Sequence, residues 1–251
     1  MKPAIITDEV SSDLETALEL IHTWGIEAVE LRYIGDQRFP QVSDYWHDRL
    51  PRLLDEFKLS VAAISPGLFQ FPYPGSPASI EMFRALDIPR FERERQAKEV
   101  LDRHLYVVLP AAIKAAQRLG APTIVCFGCT AGDPPEPVAE VLREAALMVG
   151  AAGLTLALEP RDSSANTASL IRQANVSALG LNWDPANMFN AGEDVPFPDG
   201  YEHVRGLVRH VHFKDVRTDL ASGDRFWTLH GVIDWAGIIG TLKHDGYPGY
   251  V

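Results

Sequence analysis

The chain reads LTLALEPRDSSANTASLIRQANVSALGLNWD from residue 154 to residue 184. Two short apolar runs, residues 154–158 and 179–182, flank a longer stretch that Ser164 or Asn166 can cap as a helix. A strand, a helix and a second strand in this order indicate parallel strands joined by a helical crossover. This unit predicts an α/β fold.

The same alternation extends over the whole chain. Further strands are expected at residues 4–7, 28–31, 60–65, 123–126, 210–213 and 249–251. Eight strands alternating with helices predict a single (β/α)8 TIM barrel domain over residues 1–251. The alternative is an open doubly wound sheet, which is less favoured because no glycine-rich phosphate-binding turn occurs. Since the eighth strand has barely begun at Val251, we expect the natural polypeptide to continue, with that strand and the final helix cut short here.

The composition limits the classes of partner. With 46% hydrophobic residues, 251 residues can form one sizeable core. A formal charge of −11, from 34 acidic and 23 basic residues, disfavours nucleic acid as a partner. No long apolar segment or signal sequence occurs, so we expect no membrane partner and a cytoplasmic location. Cys126 and Cys129 are interpreted as buried small residues rather than a redox pair or half of a zinc site.

Polar side chains cluster at the ends of predicted strands. They are Glu30 and Arg32 at the second strand, Glu159 and Arg161 at the fifth, Asp184 at the sixth, and His210, His212 and Lys214 at the seventh. Such positions face the space ringed by the loops of a barrel, where its chemistry takes place. Two carboxylates and an imidazole, from Glu159, Asp184 and His212, suit a divalent metal such as Mn²⁺, Mg²⁺, Co²⁺ or Zn²⁺. The more deeply placed His210 is expected to be a hydrogen-bonded packing residue or a partner of a ligand.

Four segments, in this order, carry a resemblance to a known family. They are Leu158-Glu159-Pro160, Leu181-Asn182-Trp183-Asp184-Pro185-Ala186-Asn187, Val211-His212-Phe213-Lys214-Asp215 and Asp234-Trp235-Ala236-Gly237-Ile238. The chain resembles the sugar phosphate isomerase/epimerase family of xylose isomerase-like TIM barrels. That superfamily also includes hydroxypyruvate isomerases, inosose dehydratases and endonuclease IV.

The resemblance implies a metal held by Glu159, Asp184, His212 and a second glutamate on the eighth strand, which would follow Val251. It also implies proton transfer through a metal-stabilised enediolate, with Glu159 as both ligand and general base or acid. Two positions depart from the family pattern. Asn187 stands where many relatives have a histidine, and His230 lies where a Gly-Glu-Gly segment is common.

Several further residues are candidate substrate contacts. Asn187 can bond substrate hydroxyls, and His230 can tune the choice of substrate. Arg161 and Arg32 can bind an anionic or carbonyl oxygen, although ordinary salt bridges are the alternative. Lys214 either forms a pair with its neighbour Asp215 or positions His212 or the substrate.

The leading hypothesis is a divalent-metal-dependent isomerase or epimerase of a small sugar, sugar phosphate or polyol derivative. The alternatives are a metal-dependent dehydratase, that is, a lyase of a polyol or keto-sugar, and a non-catalytic sugar-binding barrel or subunit. Phosphodiester cleavage is less favoured because it needs further metal ligands and a basic groove. A homo-oligomer is left open.

Overall fold

The computed structural model describes residues 1–85, 90–128, 133–219, 221–228 and 230–251. Its centre is a seven-stranded sheet whose strands pair in chain order and in parallel. The strands are β1 (Ile5–Ile6), β2 (Ala28–Leu31), β3 (Ser60–Leu68), β4 (Thr123–Phe127), β5 (Thr155–Glu159), β6 (Leu179–Trp183) and β7 (Val208–Val211). This order confirms the predicted alternation. The strand order of the sheet follows the chain without changing direction, whereas the strand order of a doubly wound sheet reverses near its centre.

The last residues of the chain lie beside the residues that precede β1. Lys2 N donates to the Gly249 carbonyl at 3.1 Å, and Val251 N donates to the Lys2 carbonyl at 3.0 Å. Ala4 N in turn donates to the Val251 carbonyl at 2.9 Å. The pairing is parallel. The segment predicted to begin an eighth strand therefore lies next to the first strand, as it does in a barrel.

Helices connect the strands. Their bounds are Thr7–Val10, Leu14–Thr23, Asp44–Glu56, Pro77–Ala85, Arg90–Arg103, Leu109–Leu119, Pro135–Ala151, Ser164–Ala174, Pro185–Asn190, Asp199–Val204 and Trp235–His244. Asp13 caps the helix Leu14–Thr23 by accepting a hydrogen bond from Thr16 N at 2.8 Å. The helix after β5 is capped by Ser163, which accepts from Asn166 N, and so by neither of the two residues that the sequence suggested. Within the described ranges, no helix is both long and apolar enough to cross a membrane.

The helical stretch that ends at Gly120 is divided next to Pro110. A π-helical turn, His104–Val108, separates the helices Arg90–Arg103 and Leu109–Leu119. Proline lacks the N–H that would bond to the carbonyl four residues earlier, so the regular hydrogen-bond pattern is interrupted beside it. Gly120 ends the second helix with a φ of 67°.

The core lies between the sheet and the helices. Its largest fully buried side chains include Trp183, Phe39 and Phe69. Cys126 in β4 is also fully buried, in agreement with its interpretation as a packing residue, whereas Cys129 lies outside the described residues. Two hairpins follow the carboxyl ends of β2 and β7. They pair Tyr33–Ile34 with Gln37–Arg38 and Asp215–Thr218 with Arg225–Thr228.

Candidate active site

Five ionisable side chains meet at the carboxyl end of the parallel sheet. Glu30 lies in β2, Glu159 ends β5, Asp184 follows β6, and His210 and His212 belong to β7 and the residue after it. Parallel strands bring their carboxyl ends to one edge, so residues far apart in sequence become neighbours. Glu30, Glu159, Asp184 and His210 are each at least nine-tenths buried. Buried ionisable groups of this kind require partners or a bound ion.

His212 lies at the centre of the cluster, and its two ring nitrogens face different carboxylates. Nε2 is 3.1 Å from Glu30 Oε2. Nδ1 is 3.6 Å from Glu159 Oε2 and 4.0 Å from Asp184 Oδ2. The imidazole thus links the Glu30 side of the cluster to the Glu159 and Asp184 side.

The pKa values of the cluster reflect burial and mutual charge. Burial disfavours the charged form of His212, but the negative charges of Glu30 and Glu159 outweigh it and raise the pKa of His212 well above its usual value. Burial also opposes ionisation of Glu30, yet the charge of His212 and the hydrogen bonds from both histidines hold the pKa of Glu30 far below normal. In the protein without a metal, these two residues therefore form an ion pair.

Glu159 and Asp184 respond differently to the same surroundings. Burial would raise the pKa of Glu159, but the charge of His212 and its contact with the carboxylate lower it overall. For Asp184 burial prevails, and the neighbouring charge of Glu159 adds to it, so the pKa is raised although Lys214 offsets part of the effect. Two adjacent buried carboxylates are thus only partly compensated by the protein's own cations.

Lys214 and Asn187 hold these two carboxylates in place. Lys214 Nζ lies 2.6 Å from Asp184 Oδ2, and 4.7 Å from the centre of the Trp227 ring. The predicted alternative of a Lys214–Asp215 pair is not what forms, because Asp215 instead accepts backbone hydrogen bonds from residues 216, 231 and 233. Asn187 Nδ2 donates to Glu159 Oε1 at 2.8 Å, and its backbone N–H donates to Asp184 Oδ1 at 2.8 Å.

The donor atoms fit a divalent cation. One oxygen each from Glu159 and Asp184 and a nitrogen of His212 lie within 4.8 Å of one another. A second group with the same spacing is formed by Glu30, His210 and His212. Mixed oxygen and nitrogen donors suit Mn²⁺, Mg²⁺, Co²⁺ or Zn²⁺, and a cation would compensate the adjacent buried carboxylates.

An open cavity lies over the cluster, and several of the other predicted site residues line it. Arg161 lines it with its guanidinium 4.7 Å above the ring of Phe127. Arg32 lies at the same cavity but forms ion pairs with Asp8 and Glu9 at 2.7 and 2.6 Å, which favours the salt-bridge interpretation. His230 is exposed and lines a neighbouring depression, together with Lys214 and Trp235.

Sequence reasoning assigned no site role to Glu30 or Asn182. Glu30 also accepts a hydrogen bond from His210 Nε2 at 2.9 Å, so His210 is a hydrogen-bonded buried residue as expected. The amide nitrogen of Asn182 lies 3.2 Å from His212 Nδ1. The sequence feature that could have identified Glu30 is its position as a lone acidic residue in the apolar strand Ala28–Leu31. A buried carboxylate in such a strand requires a partner elsewhere in the fold.

These features define a (β/α)-barrel protein with a cluster of acidic and histidine residues at the carboxyl end of its strands. The chain belongs to the xylose isomerase-like TIM barrel family, whose sequence model matches residues 18–251. No curated protein matches the chain in sequence.

Solved structures of low sequence identity share the fold. A xylose isomerase domain protein from Planctomyces limnophilus has a TM-score of 0.72 and 16% identity, with 100% of this chain and 89% of that chain covered. The probable 3-DHS dehydratase AsbF from Bacillus anthracis has a TM-score of 0.69 and 16% identity, with coverage of 100% and 91%. An L-ribulose 3-epimerase has a TM-score of 0.66 and 22% identity, with coverage of 99% and 79%.

Proposed function

We propose that this protein is a divalent-metal-dependent isomerase or epimerase of a small sugar or polyol derivative. The observation that carries the proposal is the cluster of Glu159, Asp184 and His212, of which Glu159 and His212 line an open cavity and Asp184 is fully buried beside them. Membership of the xylose isomerase-like family and the fold shared with an L-ribulose 3-epimerase support it.

Glu159, Asp184 and His212 would hold the metal. When bound, such an ion acts as a Lewis acid that polarises a carbonyl oxygen and so makes the neighbouring C–H group more acidic. Glu159 is the proposed general base, since its lowered pKa keeps the carboxylate ionised at neutral pH. The hydrogen bond from Asn187 fixes the orientation of this carboxylate.

Lys214 and Asn187 are the proposed contacts to substrate oxygens near the reacting carbon. Both lie at the cavity and already bond to the two metal-binding carboxylates. A single carboxylate suffices for aldose–ketose isomerisation, because it can remove a proton from one carbon and return it to the next on the same face. Epimerisation needs a second group on the opposite face of the carbon.

The proposal is tested by solvent exchange. Protein loaded with Mn²⁺ is incubated in D₂O with a panel of ketoses, aldoses and polyol derivatives, and deuterium in recovered substrate and product is located by NMR. We expect deuterium at the carbon next to the carbonyl, and a loss of at least about 100-fold in Glu159→Gln. Glu140→Gln, the same change on an exposed helical residue, should exchange like the wild type. Sugar binding without exchange by the metal-loaded wild type would instead support a non-catalytic sugar-binding barrel.

A dehydratase is the second candidate function. Lys214 lies beside Asp184 at the cavity, from where it could donate a proton to a departing hydroxyl group, and AsbF shares the fold. The same incubations distinguish the two reactions. An unsaturated carbonyl product absorbing in the ultraviolet identifies the lyase, whereas deuterated substrate or isomer without this absorbance identifies the isomerase or epimerase.

A further inference from the structure

Two arginines stand on the cavity wall to one side of Glu159. The guanidinium of Arg161 stacks on Phe127 at 4.7 Å, and Phe127 in β4 pairs in register with Glu159 in β5. Arg38 lies over the end of β3, the next strand, where its Nε donates to the Ser65 carbonyl at 2.9 Å. Arg38, Arg161 and Glu159 line the same cavity.

Arg38 is held rigidly. Its Nη1 donates to Tyr33 Oη at 3.0 Å, and its guanidinium carbon lies 4.7 Å from the centre of the Tyr33 ring. Gly67 leaves room for this arrangement. With a φ of +73°, a Cβ at Gly67 would lie 3.1 Å from the guanidinium carbon of Arg38. A side chain at residue 67 would therefore press on the guanidinium.

Within the described ranges, neither arginine forms an ion pair with an acidic residue. Among the residues that the structure describes, no carboxylate lies within 4.0 Å of the guanidinium of Arg38 or Arg161. Arg32, on the same cavity, is paired with two acids. In the described structure these two cavity arginines contact aromatic rings, a backbone carbonyl and a hydroxyl group, so they are available to an anionic ligand.

We propose that Arg38 and Arg161 bind an anionic group of the substrate, a carboxylate or a phosphate, while its reacting end lies at Glu159, Asp184 and His212. The planar guanidinium matches both anions because it can donate two parallel hydrogen bonds. This inference rests on the proposed function and narrows its substrate class to sugar acids or sugar phosphates. Because Arg38, Arg161, Glu159 and His212 line one cavity, a single small molecule can contact both arginines and the metal-binding residues.

Calorimetry with the full chain tests the inference. Three ligands of matched carbon chain are titrated in the presence and absence of Mn²⁺: D-ribulose, D-ribulose 5-phosphate and D-ribonate. We expect at least one anionic ligand to bind about tenfold more tightly than D-ribulose, both with and without Mn²⁺. The difference in affinity between this ligand and D-ribulose should decrease when salt is added. The anionic ligand that binds more tightly shows whether the arginines prefer a phosphate or a carboxylate. Equal affinity for all three ligands would overturn the inference, and this wild-type comparison does not depend on any variant.

Variants that remove the charge of each arginine provide a second test of the inference. Arg38→Met and Arg161→Met should each lower the affinity for the anionic ligand about tenfold or more, and by a larger factor than they lower the affinity for D-ribulose. Arg118→Met removes a half-exposed arginine paired with Asp48 and should have no effect. Wild-type affinity for the anion in both cavity variants would refute the assignment.

Deuterium exchange in the same samples separates this inference from the proposed function. Exchange on neutral sugars without any anion preference would refute the arginine site alone. Arginine-dependent anion binding without exchange on any sugar would refute the isomerase proposal alone.

Discussion

Glu30 Oε2 accepts a hydrogen bond from His212 Nε2 at 3.1 Å, on the side of the ring facing away from Glu159. A carboxylate bonded to one imidazole nitrogen fixes the tautomer and the ring orientation, and so directs the other nitrogen at a metal. His212 Nδ1 is the nitrogen that faces Glu159 and Asp184. We therefore infer that Glu30 orients His212 toward the candidate metal position.

Replacing this carboxylate should weaken metal binding. For Glu30→Gln we expect an affinity for Mn²⁺ about 10- to 100-fold below that of the wild type, because the neutral amide no longer fixes the imidazole as firmly. Calorimetry and the electron paramagnetic resonance of bound Mn²⁺ measure the effect. Glu140→Gln is the control on an exposed helix. An unchanged affinity in a folded Glu30→Gln protein would contradict the positioning role.

Removing Lys214 should make stability depend more strongly on metal. Asp184 is fully buried and has Lys214 Nζ at 2.6 Å, so Lys214→Met leaves the carboxylate without its nearest cation. Because Lys214 is about one-third exposed, we expect a loss of about 1 to 3 kcal/mol in the free energy of unfolding without metal. Urea unfolding in EDTA measures this loss.

Added Mn²⁺ provides the decisive comparison for Lys214→Met. The ion should restore much of the lost stability, because a cation near Asp184 replaces the ammonium group. A gain from Mn²⁺ no larger in the variant than in the wild type would count against a metal at Asp184.

The neutral His104 should contribute stability that is lost in acid. Its Nδ1 accepts a hydrogen bond from Phe69 N at 3.1 Å, and burial together with the charge of Arg103 lowers the pKa of His104 to about 4. Between this value and the ordinary 6.5, the unfolded chain binds a proton that the folded protein does not. The contribution is therefore complete above pH 6.5 and falls as the pH decreases towards 4.

The His104 contribution is measured by urea unfolding at pH 7.5 and pH 5. The stability difference between the wild type and His104→Gln should shrink by about 1 kcal/mol at the lower pH, after allowance for the partial exposure of the ring. His22→Gln, at an exposed position, controls for the loss of a histidine. A difference that stays constant or grows in acid would disprove the neutral state.

Gly67→Ala should separate backbone strain from the placement of Arg38. The positive φ of Gly67 disfavours any side chain by about 1 kcal/mol, and the added Cβ would also push on the Arg38 guanidinium. Gly75→Ala carries a comparable strain at φ +83° but meets no atom within 4 Å. We expect similar melting temperatures for the two variants and a several-fold loss of anion affinity in Gly67→Ala only. Equal anion affinities would show that the arginine does not depend on Gly67.

The amino-acid sequence determined the features that rest on local pattern. Alternating apolar runs and capped helices predicted the parallel strands, because burial and periodicity act over a few residues. The residues that end β5, β6 and β7 could be grouped as Glu159, Asp184 and His212, because parallel strands present their carboxyl ends at one edge.

Only the tertiary structure decided which side chains share partners. Glu30 and His212 are 182 positions apart, and no local pattern links them. The partners of the arginines also depend on tertiary packing. Arg32 meets Asp8 and Glu9, while Arg38, six residues later, stacks on Tyr33 with no acid beside it in the described structure. Strand pairing and hairpin geometry set these distances, and a partner's identity depends on distance in space rather than on position in the chain.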